Sequence, residues 1–409
     1  MKKLLSKITA ASLAATLAFP TGTELLGINF GTSVVASAET TTDGTFGYTV
    51  NGSTVTITKY NGSGGEVEIP ATIDSKTVTS IGAEAFKDCT SLTSVAIPDG
   101  VSSIGAEAFS GCSSLRSITI PDSVTSIGEY AFHSCTSLES INIPDSVTKI
   151  DRYTFTNCTS LSVITISKNV TSIEKSSFMG CSVLSSINVA GENTKYCSVD
   201  GVLFNKNKTE LLFYPANKTG TSYAIPDGVT TIESYAFYEN NNLESITIPD
   251  GVTDIGAGAF DSCKKLTSVS IPASVNNIGI EAFNSCESLT AISVHENNSK
   301  YSSENGVLFD KNKTYLIVYP AGKSENSYTV PDTVQQIYMS SFAGCVNLEN
   351  ITLNEGVEKI YSAAFTGCTS LKTINIPSSV TALGDQAFML CTSLKTINIP
   401  DSAKLKTLQ

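Results

Sequence analysis

A phrase of 23 residues recurs eleven times along this chain. It starts at Val78, Val101, Val124, Val147 and Val170, again at Val229, Val252 and Val275, and again at Val334, Val357 and Val380. One copy reads Val101-Ser-Ser-Ile104-Gly105-Ala-Glu-Ala108-Phe109-Ser-Gly-Cys112-Ser-Ser-Leu115-Arg-Ser-Ile118-Thr-Ile120-Pro121. A fixed period of this length marks a solenoid, because one unit cannot bury its apolar side chains alone and must stack on its neighbours. Roughly seven or eight apolar groups per coil, at about 1.5–3 kcal/mol for each large one, oppose about 1.5 kcal/mol of ordering entropy per residue. A lone coil does not fold.

Three parts of the phrase have different local logic. Leu115, Ile118 and Ile120 bracket small polar residues and read as a short strand closed by Pro121, which bars further pairing. Val101 and Ile104, followed by Gly105, read as a second short extended piece. Ala108-Phe109 reads as a tight helical turn that drops a ring into the core. The expected fold class is therefore an α/β repeat solenoid, rich in β.

The register skips twice. Val170 to Val229 and Val275 to Val334 are each 59 residues, one period plus 36. Each skip ends in a rung, Tyr223-Ala-Ile225-Pro226 or Tyr328-Thr-Val330-Pro331, so residues 190–226 and 295–331 read as two long coils of the same ladder. Paired apolar runs, Val202-Leu-Phe204 with Leu211-Leu-Phe-Tyr214 and Val307-Leu-Phe309 with Leu316-Ile-Val-Tyr319, suggest a β-hairpin in each. The long coils share a phase, so the hairpins are expected on one side of the solenoid, four rungs and roughly 19 Å apart. Counting Val67-Glu-Ile69-Pro70 as the first, about fourteen rungs are expected. The chain divides into a secretory signal (1–38), an N-terminal β cap (39–66) with a hairpin turn at Asn51-Gly52, the solenoid (67–400) and a C-terminal tail (401–409).

The signal is read from Lys2, Lys3 and Lys7, the apolar stretch Ala10 to Phe19, and the small-residue site Ala36-Ser-Ala38. Without it the chain keeps 23 basic and 37 acidic side chains, a net of −14. Nucleic acid is excluded as an expected partner, because its binders need a clustered basic surface. No integral membrane segment is expected once the signal is removed. Ten of the eleven cysteines (Cys89, Cys112, Cys135, Cys158, Cys181, Cys263, Cys286, Cys345, Cys368 and Cys391) occupy one place in successive coils, with Asn240 there in the remaining coil. Stacked positions carry parallel Cα–Cβ vectors, a poor geometry for a disulfide, so buried spacers are expected. Cys197 stands apart as a candidate exposed thiol.

Catalytic chemistry finds no support. The two histidines, His133 and His295, lie in different coils, and Cys-x-x-Cys, His-Glu-x-x-His, Gly-x-Ser-x-Gly and Walker-type patterns are absent. No enzyme activity, cofactor or metal is expected. The outward rung positions, among them Ser117, Thr119, Ser140, Asn142, Ser245 and Thr247, form a lattice of small polar side chains that offers no anchor. Variation falls elsewhere: charge one place before the rung, at Arg116, Glu139, Glu244, Glu349, Lys372 and Lys395, and aromatic side chains beside the Phe turn, at Tyr130, Tyr153, Tyr235, Tyr238, Tyr338 and Tyr361. Variable positions on a repetitive frame are where recognition is encoded, and hot spots favour Tyr and Arg. These twelve are the candidate partner-binding residues.

The phrase Val-x-x-Ile-Gly-x-x-Ala-Phe-x-x-Cys-x-x-Leu-x-x-Ile-x-Ile-Pro resembles the 23-residue leucine-rich repeat of the BspA-like bacterial surface proteins, over nearly all of the chain after the signal. The resemblance implies a right-handed leucine-rich-repeat solenoid, exported, that adheres to a host matrix protein or a bacterial surface component. Gly-Val-Leu-Phe and Tyr-Pro in the long coils resemble a recurrent element of that family. No Leu-Pro-x-Thr-Gly sorting motif follows Pro400, so a secreted product is expected, with cell-surface attachment in second place. The expected function is a non-catalytic binding scaffold; the alternatives are an extracellular protein that self-assembles end to end, and an enzyme of unrecognised type.

Overall fold

The computed structural model describes residues 40–42, 44–400 and 407–408. The expected signal, and most of the tail, lie outside the described residues. Among these the secondary structure is strands and turns, with no helix. Fourteen short strands form the rung ladder, from Gly65–Glu68 to Thr396–Asn398, the number expected from the repeat. Neighbouring rungs pair in parallel one period apart: Ile141 lies opposite Ile164, and Ile164 opposite Ile187. A second parallel ladder is built from two-residue strands such as Ser103–Ile104 and Ser126–Ile127. Its first members are longer, since Thr54–Tyr60 pairs in parallel with Lys76–Ile81 and antiparallel with Phe46–Asn51. That front hairpin closes at Asn51 opposite Thr54, so Gly52 and Ser53 are its turn residues, with Gly52 at φ +60°.

The helical turn expected at Ala-Phe is absent, which removes the α component of the expected class. Glu107 and Gly111 flank Phe109 with φ of +56° and +74°, and a right-handed helix does not pass through left-handed residues. The backbone is satisfied between coils instead. Phe109 N–H donates to Ala131 O at 2.8 Å, and Phe132 N–H to Thr154 O at 3.0 Å. Gly105 and Gly128 permit the close approach, since a Cβ at either would sit 2.5 Å from a backbone nitrogen of the preceding coil.

Burial follows the period. Val101, Ile104, Ala108, Phe109, Cys112 and Leu115 are all 2 % exposed or less. The phenylalanines form a column, Phe109 stacking on Phe132 at 5.6 Å and Phe132 on Phe155 at 5.7 Å, nearly parallel. All eleven cysteines are free thiols, and Cys89 and Cys197 are half-buried while the other nine are buried. The ladder thiols are more than spacers. Cys112 Sγ donates to Phe86 O at 3.0 Å and Cys135 Sγ to Phe109 O at 3.1 Å, one coil back each time. Burial pushes the Cys112 thiol up to about 12, which keeps it protonated as this bond requires.

The long coils do not continue the ladder as expected. Each supplies a three-stranded antiparallel sheet, Tyr196–Val199, Val202–Asn205 and Glu210–Phe213 in the first, and Tyr301–Glu304, Val307–Asp310 and Tyr315–Val318 in the second. The hairpins expected from sequence are present, but as partitions through the core. Ile187 N–H bonds Gly201 O of the partition, and the rung Ser222–Ala224 pairs forward with Ser245–Thr247 rather than back with Ser186–Val189. Alternate residues face opposite ways, as strand geometry dictates. Leu203 and Phe213 join the first core; Val202, Phe204, Leu211 and Tyr214 join the second. Leu308 joins the second core, and Val307, Phe309 and Leu316 the third. The solenoid is three packed blocks separated by two transverse sheets. Both partitions enter the same ladder, Glu210–Phe213 pairing with Thr231–Ile232 and Tyr315–Val318 with Gln336–Ile337.

Three buried asparagines hold the joints. Asn193 Nδ2 donates to Ser167 O and Val170 O while its Oδ1 accepts from Lys195 and Tyr196 N–H. Asn298 repeats this arrangement at the second partition. Asn240, in the cysteine column, donates to Pro215 O and Ala216 O and accepts from Asn242 and Leu243 N–H.

Candidate functional site: a tyrosine ledge on the turn column

The six charged candidates stand in one column at the start of the rungs, linked by backbone bonds such as Glu139 N–H to Arg116 O and Lys395 N–H to Lys372 O. The partitions divide that column among the three blocks. Within it Lys372 pairs with Glu349 at 2.7 Å, their side chains 58% and 40% exposed, and such a pair contributes little. The structure does not bring Arg116, Glu139, Glu244 and Lys395 together as a site. The rung face beside them is flat and polar, with Ser117, Thr119, Ser140 and Asn142 exposed.

The tyrosines separate into two groups. Tyr130, Tyr153 and Tyr235 occupy the coil position of Glu107, the left-handed residue two before Phe, with φ of +58°, +56° and +61°. That backbone turns the side chain outward along the edge of the solenoid. Tyr130 stacks on Tyr153 at 4.7 Å, and His133 meets Tyr130 edge-on at 5.7 Å. Tyr238, directly after Phe237, packs edge-on against Tyr235 at 6.0 Å. Tyr235 lies over Gly258 of the next coil, where a Cβ would come within 2.6 Å of the ring. Its phenol is pushed up by burial first, then by the charges of Glu281, Tyr153 and Asp261. The four tyrosines make a ledge of two contacting pairs, Tyr130 with Tyr153 before the first partition and Tyr235 with Tyr238 after it. Tyr338 and Tyr361 hold a different coil position, that of the repeat's glycine, and lie 5.7 Å apart; Tyr338 lines a cleft with Glu281 and Ser340, and Tyr361 is held by a hydrogen bond from its hydroxyl to Gln336 Oε1 at 2.8 Å.

Carboxylates that the sequence reading passed over border the ledge. Glu281 sits in the coil position of Tyr235, and Asp261 in that of Tyr238; aligning acidic residues by phase would have found them. Asp261 Oδ1 accepts from Ser262 Oγ at 3.0 Å and Asn284 Nδ2 at 3.4 Å, yet burial, aided by Glu281 and Glu239, pushes its carboxyl up to about 6. Burial and the neighbouring Glu239 and Asp261 push Tyr238 up to about 12. His133 is held low by burial, with Nδ1 3.4 Å from Ser110 Oγ. Among the described residues no cluster of three or more His, Cys, Asp or Glu is placed to hold a metal ion, and no helix is long and apolar enough to cross a membrane.

The comparisons fit this architecture. The family model of the BspA type leucine-rich repeat region matches residues 79–208, 212–313 and 321–409, in six copies. A leucine-rich repeat protein from Eubacterium ventriosum is 28% identical in sequence, with a TM-score of 0.60 over 86% of this chain and 94% of that one. The pneumococcal vaccine antigen PcpA is 19% identical, with a TM-score of 0.52 over 88% of this chain and 98% of that one, a likeness of fold. A leucine-rich cell surface protein from Faecalibacterium prausnitzii is 27% identical over 91% of this chain and 99% of that one, with a TM-score of 0.41. No curated protein sequence matches this chain. The eleven-fold phrase, the parallel rung ladder and the matched family model lead to one assignment: the chain belongs to the BspA-type leucine-rich repeat proteins.

Proposed function

We propose that this protein is a secreted, non-catalytic scaffold that binds a protein partner through the ledge formed by Tyr130, Tyr153, Tyr235 and Tyr238. The carrying observation is the contrast between two faces of one frame. The rung face repeats small polar side chains, whereas the turn column gathers four half-buried tyrosines within the three coils before the first partition and the one coil after it. Tyrosine presents a large rigid surface with a polar tip at low entropic cost, which is why it is enriched where partners bind tightly. The repeat family supports a protein-binding scaffold, and the resemblance to adhesive surface proteins directs the choice of partner to host matrix proteins or bacterial surface components.

The test compares the full chain with the triple variant Tyr130→Ser/Tyr153→Ser/Tyr235→Ser on a panel of immobilised matrix proteins and on whole bacterial cells. Ser176 and Ser340 occupy the same coil position, so the fold accepts serine there. Binding that falls at least tenfold in the variant, and survives Ser140→Lys and Ser245→Lys on the rung face, supports the ledge. Full retention by the tyrosine variant would refute it.

A further inference from the structure

The eastern half of the ledge, from Tyr235 toward the second partition, carries a charge pattern that its western half does not. Around Tyr130 and Tyr153 the carboxylates are partly neutralised: Lys87 holds Glu107 at 2.5 Å, and Arg152 counteracts the acidic groups at Tyr130. Glu239, Asp261 and Glu281, which surround Tyr235 and Tyr238, have no ion-pair partner among the described residues. Burial first, and then their mutual proximity, raises the Asp261 carboxyl and both phenols, so negative charge here gains from a nearby cation.

The same strip ends at a cleft above the second partition. Ser340 Oγ donates to Glu281 Oε1 across the cleft mouth at 2.8 Å, joining coils 59 residues apart. Phe283, Ile317 and Val318 line its apolar wall. Val318 holds the position that Phe213 fills at the first partition, where the larger ring packs edge-on against Phe178 at 5.7 Å. Phe283 meets no ring there, and the cleft holds a space of about 20 Å³, room for one water, as does the place beside Phe178 and Phe213. Tyr319 and Ser341, both lining this cleft and 2 % and 1 % exposed, are the two side chains among the described residues whose buried hydroxyls find no partner. Thr154 and Ser177, in the coil position of Ser341, each bond a carbonyl three residues back. Native structures rarely leave such groups unmet.

We propose that the partner segment seated on this half of the ledge is cationic: a stretch of protein carrying arginine or lysine, whose side chains lie across Tyr235 and Tyr238, pair with Glu239, Asp261 and Glu281, and reach into the cleft at Tyr319 and Ser341. The aliphatic stem of either residue suits the apolar wall, and the charged end suits the carboxylates and unmet hydroxyl oxygens. This inference rests on the ledge as the binding surface and adds the partner's charge.

The probes are fluorescein-labelled (Arg-Ser)5, (Lys-Ser)5 and (Glu-Ser)5 peptides, titrated with the full chain and read by anisotropy. At least one basic peptide should bind with an affinity that falls as salt rises, and the glutamate peptide should not. The variant Glu239→Gln/Asp261→Asn/Glu281→Gln should weaken binding at least tenfold. A remote control, Asp332→Asn/Glu355→Gln/Glu358→Gln, makes the same change in charge and should bind as the unaltered chain does. Equal loss in the remote variant, or equal binding of the glutamate peptide, would overturn the proposal by showing only diffuse attraction. Tyr235→Ser/Tyr238→Ser separates the two readings. Loss there with full retention by the carboxylate variant sinks the cationic partner and leaves the ledge standing. Retention there together with loss in the carboxylate variant removes the ledge itself.

Discussion

Replacing Asn298 by alanine tests whether the partitions are held by buried side chains or by packing alone. The Asn298 amide is fully buried. Its Nδ2 donates to Pro272 O at 2.8 Å and Val275 O at 3.0 Å, and its Oδ1 accepts from Lys300 and Tyr301 N–H, both at 2.8 Å. One side chain therefore uses its full hydrogen-bonding capacity to tie the first residues of the partition to the corner of the preceding coil. Four bonds at about 1 kcal/mol net each, with four backbone groups left to find water or remain unmet, give an expected loss of about 3–5 kcal/mol. Asn298→Asp keeps the accepting oxygen but turns a second oxygen toward two carbonyls, so it should be at least as damaging. The blocks have separate cores and need not unfold together, so a single midpoint is a poor readout. Hydrogen exchange followed by mass spectrometry in increasing urea localises the effect. Faster exchange confined to the residues around the second partition, with the first block unchanged, is expected. A loss below about 1 kcal/mol with unaltered exchange at residues 298–310 would refute the reasoning.

Asp261 makes stability depend on pH in the opposite sense to a salt-bridged carboxylate. Its folded value, about 6, lies above the 3.8 of an ordinary aspartate, so the folded state binds the proton more tightly; stability is greatest below about pH 4, falls as pH rises to about 6, and is level above. Asp261→Asn should remove that slope and stabilise the chain at pH 7 by roughly 1 kcal/mol, discounted for partial exposure; an unchanged urea midpoint at pH 4 and pH 7 in both proteins would contradict it. For the cysteines, thiol titration of the folded chain should find one or two reactive groups, at Cys89 and Cys197, and close to eleven after denaturation. Four or more disulfides by mass mapping would refute the thiol-to-carbonyl ladder.

The sequence determined the rungs because their cause is local and repeated. A core residue such as Ile164 meets its own counterparts, Ile141 and Ile187, one period away, so the periodicity that places one places all, and the fourteen rungs could be counted from the eleven phrases and the three rung signatures outside them. Phase also announced the cysteine column and the paired strands of the long coils. Three things were decided only by the tertiary structure. The Ala-Phe turn does not become helical, since its N–H groups donate to carbonyls of the next coil and its neighbours take positive φ, a demand made between coils. The long coils cut the core instead of extending it, because Val202–Asn205 is apolar on both faces and only the surrounding blocks decide which face meets which core. The ledge, too, required three dimensions. Tyr130, Tyr153 and Tyr235 share a position in the phrase that sequence could align, but Tyr338 and Tyr361 looked equivalent and are not, and the Tyr235 ring lies over the next coil only because Gly258 has no side chain there.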